Sequence, residues 1–274
     1  MEKYKIKRNS VQETLIIPLY SRKLAMELYP ENFEDHECRQ LFEKIDYDFP
    51  RQRKIMDRAG AIMGATRQYD LAAVCKDYLA KHPRACVVNL GCGLDTTFRQ
   101  VDNGMAKGYN IDLPDVIATR NALLPETARE RNIAGDLNDV TWFDQIDYDQ
   151  ADGAIFFAAG VFYYFKTEEV KALLIRLAER FPGGKLAFDA TNARGLKNML
   201  KTWLGPSGMK NIGVYFSLED ERELMAWSRR FSGVVRKGYL TGYRPLDKRY
   251  GAILNRVFRY LDKHQMCQII ELTF

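Results

Sequence analysis

Histidine is scarce in this sequence. Only His36, His82 and His264 occur among 274 residues, and none lies in a recognisable motif. Reactions that need an imidazole base are therefore poorly supplied. Cysteine is sparse as well. Cys38, Cys75, Cys86, Cys92 and Cys267 make no CxxC pair and no zinc-like spacing, which speaks against a zinc or dithiol centre. The odd count, with Cys86 and Cys92 close together, fits reduced thiols in a cytosolic protein. No apolar run is long enough to span a bilayer: the longest, Gly153 to Phe165, is short and holds glycines. Met1 to Arg8 is basic but lacks the apolar core of a signal peptide. A soluble, cytoplasmic protein without a membrane partner is expected. The charge balance, 41 Lys+Arg against 36 Asp+Glu, is spread along the chain without a basic block. That describes a mixed, solvated surface and offers no footprint for nucleic acid.

What is present is apolar patterning, with 46% hydrophobic residues. Residues 1–82 show helical spacing over Glu13–Tyr29, Cys38–Ile45 and Ile55–Leu79, punctuated by Pro18, Pro30 and Pro50. They are expected to form an N-terminal helical cap. From residue 83 the pattern alternates. Strands are expected at 85–91, 107–113, 132–137, 152–159 and 185–190, with helices after Asp95 as N-cap, at 115–129 and at 167–181 behind Thr167. Farther on, residues 193–230 read as a helical insertion with a turn at Gly205–Gly208. A strand at 231–243, a helix at 250–263 and a last strand at Cys267–Phe274 follow. The fold class is α/β: a doubly wound, Rossmann-like sheet, mostly parallel, with an antiparallel last strand. Periodicity does not give the strand order.

The chemistry concentrates in Leu90-Gly91-Cys92-Gly93-Leu94-Asp95. A strand running into a glycine turn and a helix lets a ligand approach the main chain at the carboxyl edge of a sheet. Asp112 ends the next strand, 19 residues after Gly93, where a carboxylate can accept from both hydroxyls of a ribose. Capping the helix near Pro114 is the simpler role for it. A dinucleotide requires a third glycine near position 96, so that pyrophosphate can reach the helix N-terminus. Thr96 stands there. S-adenosylmethionine has no pyrophosphate and does not impose that requirement. Asp136-Leu137 then offers a carboxylate for the adenine amino group and an apolar wall for its ring; a solvated loop acid is the alternative.

The ordered set Gly91-Cys-Gly-Leu-Asp-Thr96, Asn110-Ile-Asp-Leu-Pro114, Gly135-Asp-Leu-Asn-Asp139 and Ala158-Ala-Gly-Val-Phe-Tyr-Tyr-Phe165 resembles the leucine carboxyl methyltransferase family. The likeness is to its short bacterial branch, related to the O-methyltransferases of polyketide biosynthesis, and covers about residues 11–191. It implies that Gly91, Gly93, Asp112, Asp136 and Leu137 hold S-adenosylmethionine, with Cys92, Leu113 and Ala159 alongside. Arg67 resembles the family arginine for the methionyl carboxylate, a role that suits a guanidinium; a surface arginine is the reading from periodicity alone. Tyr164 aligns with a family tyrosine and is the candidate catalytic residue. Two positions depart from the family pattern. Thr97 stands where an arginine is common, and Ala159 where a glutamate normally lies near the cofactor.

Methyl transfer is an in-line displacement governed by alignment. A carboxylate acceptor is already ionised at neutral pH and needs no base, which matches the shortage of histidine. The expected activity is O-methylation of a small-molecule acceptor, a carboxylate first of all, with S-adenosylhomocysteine as product. Tyr163, Tyr20 and Arg22 are candidate acceptor contacts, although Tyr163 serves equally as aromatic packing and Arg22 as a solvated helix face. Asp189 and Asn192 end the fifth strand, but such residues commonly turn the chain, and no metal is expected. A non-catalytic cofactor sensor or scaffold is the alternative function, suggested by Ala159. A nucleic-acid methyltransferase is less well supported, since no Asn/Asp-Pro-Pro-Tyr/Phe motif follows the fourth strand. The protein is expected to be a monomer or homodimer.

Overall fold

In the computed structural model, which describes residues 3–6, 15–47, 49, 56–204 and 213–274, each apolar run between residues 85 and 190 becomes a parallel strand. The chain begins with β1 (Tyr4–Lys5), α1 (Ile16–Leu28), α2 (His36–Lys44), β2 (Ile45–Asp46) and α3 (Arg58–Leu79). Then come β3 (Cys86–Leu90), α4 (Thr97–Val101), β4 (Lys107–Asp112), α5 (Pro114–Leu123) and β5 (Glu130–Ala134). The second half holds β6 (Ala154–Ala158), α6 (Thr167–Arg180), β7 (Lys185–Ala190), α7 (Ala193–Met199), β8 (Gly233–Gly238), α8 (Ala252–Lys263) and β9 (Gln268–Thr273).

Seven strands form one sheet in the order β5-β4-β3-β6-β7-β9-β8. Pairs β5–β4, β4–β3, β3–β6 and β6–β7 are parallel, and β9 runs antiparallel to both β7 and β8. The expected antiparallel last strand is there, inserted beside β7. Both faces are covered, which is why β3 and β6 are buried throughout and apolar except for Asn89. Their side chains alternate between two cores. Val87, Ile155, Phe157 and Ala187 pack with residues of α1 and α3. Val88, Leu90, Phe156 and Phe188 pack with α6, Trp142 and Phe143 on the other face. The N-terminal helices therefore share the core of the first face. Asp35 and Asp57 N-cap α2 and α3 by accepting from Cys38 N and Gly60 N, at 2.9 and 2.7 Å.

Several boundaries differ from expectation, for local reasons. The helix expected at 115–129 is α5 and stops at Leu123, because Leu124 precedes Pro125 and is pushed out of helical backbone. The third strand starts and ends earlier, at 130–134. The N-cap of α4 is Thr96, one residue later than the expected Asp95, whose Oδ1 accepts from Thr97 N at 2.8 Å. In α6, Thr167 is the first helical residue; the cap residue is Lys166, whose N–H is taken by Glu169 at 2.7 Å. The described residues of 193–230 are only partly helical: α7, a wider turn at Leu200–Leu204 and a short tight helix at Glu221–Ala226. The Gly205–Gly208 turn lies outside the described residues, as do residues 13 and 14. Among the described residues, no helix is long and apolar enough to cross a membrane.

The chain leaves β3 toward β4 and β5, then returns to β6 on the opposite side. This reversal puts the topological switch point at the carboxyl ends of β3 and β6, the position where open α/β sheets bind ligands in a crevice.

Candidate functional site

At the end of β3 the backbone turns through two left-handed residues, Gly91 (φ 64°) and Gly93 (φ 48°). A side chain is strained there, and a Cβ on Gly91 would stand 2.7 Å from Val161 Cγ2. The turn is fastened to β4. Gly93 N donates to Asp112 Oδ2 at 2.8 Å, and Asp112 Oδ1 accepts from Leu113 N at 2.8 Å. Burial pushes the Asp112 carboxyl above its ordinary pKa, with the two N–H groups pulling the other way. The register Leu90–Ile111 sets Asp112 level with Gly91. Asp112 thus faces the turn as a carboxylate with lone pairs to spare, since each oxygen accepts one N–H and can accept more.

Next along the edge, Gly135 N donates to Asp112 O at 2.9 Å, and Trp142 backs Gly135 so closely that a Cβ would fall 3.1 Å from it. Asp136 is exposed and accepts from Asn138 N at 2.9 Å. Leu137 is buried, whereas Leu113 leaves 38% of its surface exposed beside Asp112. A flat heterocycle laid between Leu113 and the Gly135–Leu137 segment would cover that apolar surface.

On the other side of β3 a cluster gathers around Asp189, at the end of β7. Its Oδ1 accepts from Gly160 N at 2.6 Å, and its Oδ2 from Arg67 Nη1 and Tyr163 Oη, both at 3.0 Å. The carboxylate is 2% exposed and the Arg67 side chain 17%. Burial opposes the Arg67 charge, but Asp189, with Tyr239 and Tyr163 adding to it, holds the guanidinium above its ordinary pKa. Burial first, and the Asp189 charge second, raise the Tyr163 hydroxyl well above its ordinary value. Gly160, at φ 72°, admits this arginine: a Cβ there would lie 2.6 Å from Arg67 Nη1. Tyr239 is also buried and donates to Met63 O at 3.0 Å. Sequence reading missed Asp189 as an organising group and Tyr239 altogether. The only signal for Asp189 was its place at a strand end.

The remaining candidates fall as follows. Ala159 is half-buried, directly before Gly160, and Cys92 is buried beneath the turn, where burial pushes its thiol up. Tyr164 is 38% exposed, and burial raises its hydroxyl pKa. Tyr20 packs against Phe42 and Phe49 in the core of the N-terminal helices, not on an open face. Arg22, expected as an acceptor contact or a solvated helix residue, is neither: it is 5% exposed and paired with Asp35 at 2.8 Å. Asn192 caps α7 through Gly195 N at 2.9 Å. Among the described residues, no group of three His, Cys, Asp or Glu side chains is arranged to hold a metal. The histidines lie apart from the Asp189 cluster. His36 meets Gln40, His82 stacks on Tyr78 before β3, and His264 is exposed with its ring against Tyr260.

The sequence model described as leucine carboxyl methyltransferase matches residues 18–178. The tetracenomycin polyketide synthesis O-methyltransferase TcmP of Streptomyces glaucescens is 27% identical over 266 residues, covering 95% of this chain and 97% of that protein. Two solved structures share the fold. A putative methyltransferase from Thermobifida fusca aligns with a TM-score of 0.59 at 17% identity, over 85% of this chain and 92% of that one. A DUF574 family protein from Streptomyces avermitilis aligns at 0.61 and 12% identity, over 95% and 96%.

Proposed function

The chain belongs to the leucine carboxyl methyltransferase family, and from that premise we propose that it methylates a carboxylate oxygen of a small molecule. It is an S-adenosylmethionine-dependent methyltransferase. The O-methyltransferase activity named for TcmP supports oxygen as the acceptor atom. In this reading Asp112 receives the ribose hydroxyls, Leu113 and Asp136-Leu137 flank the adenine, and Arg67 receives the methionyl carboxylate. Gly91, Cys92 and Gly93 let the main chain approach the cofactor, and Ala159 lies along it. Asp189 uses one lone pair on Arg67 and leaves the other guanidinium donors for the ligand.

Bound S-adenosylmethionine would supply an electrophilic methyl group; an acceptor carboxylate that took it would become a methyl ester, with the carbon–sulfur electron pair leaving on sulfur as S-adenosylhomocysteine. No proton moves when the acceptor is a carboxylate. One observation carries this choice: no histidine joins the Asp189 cluster, and Asp189 itself is engaged by Arg67, Tyr163 and Gly160. What is left for the acceptor is Tyr164, whose raised pKa keeps its hydroxyl protonated and able to donate to an anionic oxygen. Tyr163 walls the same region from beneath.

The test uses methyl-labelled cofactor with separate pools of carboxylic acids and phenols. An ester gives up its label as methanol under mild alkali, whereas an aryl ether does not. Alkali-labile product supports the carboxylate reading. Stable label from the phenol pool alone overturns it.

A further inference from the structure

The carbonyls of the glycine turn present a problem of their own. With Gly91 and Gly93 in left-handed backbone, the segment is not a regular ladder, yet its carbonyls point into protein and require donors. Two arginines supply them. The fully buried Arg120, on α5, donates through Nη1 to Gly93 O at 3.0 Å and to Asp95 O at 2.7 Å. Its charge meets Glu130 at 3.1 Å. Arg22 on α1 donates through Nη2 to Leu94 O at 3.0 Å. Three successive carbonyls are therefore held by buried guanidiniums, two by an arginine of α5 and one by an arginine of the N-terminal helices.

Arg22 does more than fill a vacancy in the count. Its Nη1 contacts Asp35 at 2.8 Å, Thr96 Oγ1 at 3.0 Å and Gln68 Oε1 at 3.4 Å. Asp35 in turn caps α2, Thr96 follows the turn and Gln68 lies on α3. One buried charge thus joins α1, α2, α3 and the turn. Leu15, just before α1, reaches over the same loop, with its Cδ2 3.0 Å from where a Cβ of Gly93 would be.

We propose that Arg22 is a positioning residue for the cofactor site, so that docking of the N-terminal helices and cofactor binding are coupled. The inference rests on the reading that the 91–95 turn holds the cofactor. When the helices are docked, Leu94 O is tethered and the turn is held in its ligand-accepting shape. By linkage, a ligand that selects this shape must stabilise the docked helices by the same factor.

Removing Arg22 alone would strand Asp35 as a buried charge. The informative variant is therefore Arg22→Met with Asp35→Asn, which removes both charges and leaves an amide oxygen to cap Cys38. Arg22→Lys is its conservative counterpart, with one ammonium able to serve Leu94 O or Asp35 in turn. S-adenosylhomocysteine binding is measured by calorimetry for wild type, both variants and Asp112→Ala. Amide exchange over α1 and residues 93–97 is followed with and without ligand. The expected result is about a tenfold or greater loss of affinity in the double variant, the scale of one charged hydrogen bond, with Arg22→Lys in between. Ligand should slow exchange in α1 of the wild type and not in the folded double variant. A double variant that is folded, binds like wild type and shows no ligand effect on α1 overturns the proposal. Should it fail to fold, exchange in wild type decides: unchanged α1 with ligand bound overturns, slowed α1 supports. Wild-type affinity in Asp112→Ala would instead show that the site itself was misplaced.

Discussion

Arg67 and Asp189 stand 122 positions apart in sequence and 3.0 Å apart in the fold. One comes from the long helix α3 and the other from the end of β7, and their pairing fixes the guanidinium beside the crevice. Arg67→Met is expected to weaken cofactor binding by about one to two orders of magnitude, the range of a lost charge-assisted contact. It should also lower stability by about 3–5 kcal/mol, because Asp189 is left buried without its partner. Asp189→Asn, which keeps the acceptor oxygen for Gly160 N, should cost less of both. Calorimetry and urea unfolding measure the two effects; unchanged affinity with lowered stability would make the pair merely structural.

Gly160→Ala tests how tightly that arginine is seated. The new methyl group would meet Arg67 Nη1 at 2.6 Å in left-handed backbone. A destabilisation of about 1–3 kcal/mol is expected from the strain, together with a higher KM for S-adenosylmethionine. A KM equal to wild type would place Arg67 outside the cofactor's reach.

Tyr164 and His264 separate a hydrogen-bond donor from a base. Tyr164→Phe is expected to lower kcat by about tenfold while leaving cofactor affinity alone. His264→Gln should leave kcat and its pH profile unchanged, since a carboxylate acceptor has no proton to lose. A loss of kcat in His264→Gln would favour a phenolic or alcoholic acceptor that needs a base.

Asp70, on α3, supplies a pH test of the fold. Burial pushes its carboxyl up to about 7, offset only in part by Arg244 at 3.3 Å and by Lys237, with Asp262 adding to the rise. A raised carboxylate pKa means that the folded state holds the proton more tightly. The stability it gives is present in full below the unfolded pKa, near 4, and is lost as pH rises to about 7. Wild type should therefore lose stability between pH 5 and pH 8 relative to Asp70→Asn. Parallel urea-unfolding curves for the two proteins across that range would contradict the assignment.

The parts of the site that were legible in the sequence are those encoded over short distances. The turn, Asp112 and Asp136-Leu137 sit at successive strand ends, so strand spacing alone brings them together. The Asp189 cluster and the Arg22–Leu94 contact join segments that are remote in sequence, and no periodicity marks them. Arg22 illustrates the loss. On a helical wheel it is one more cation, whereas in the fold its charge is buried against Asp35. The helix expected at 115–129 stops at Leu123 because Pro125 excludes helical backbone at Leu124. The described residues of 193–230 carry helical spacing but adopt α, wider and tighter turns in sequence, where tertiary packing outweighs local preference.

The most direct measurement is calorimetric titration of S-adenosylhomocysteine into wild type and Asp112→Ala. Binding by the wild type at one site per chain is expected, with affinity in the variant reduced by about tenfold or more as the ribose contacts are lost. Equal affinity for the two proteins, or no binding by the wild type, would contradict the assignment of the crevice as the cofactor site.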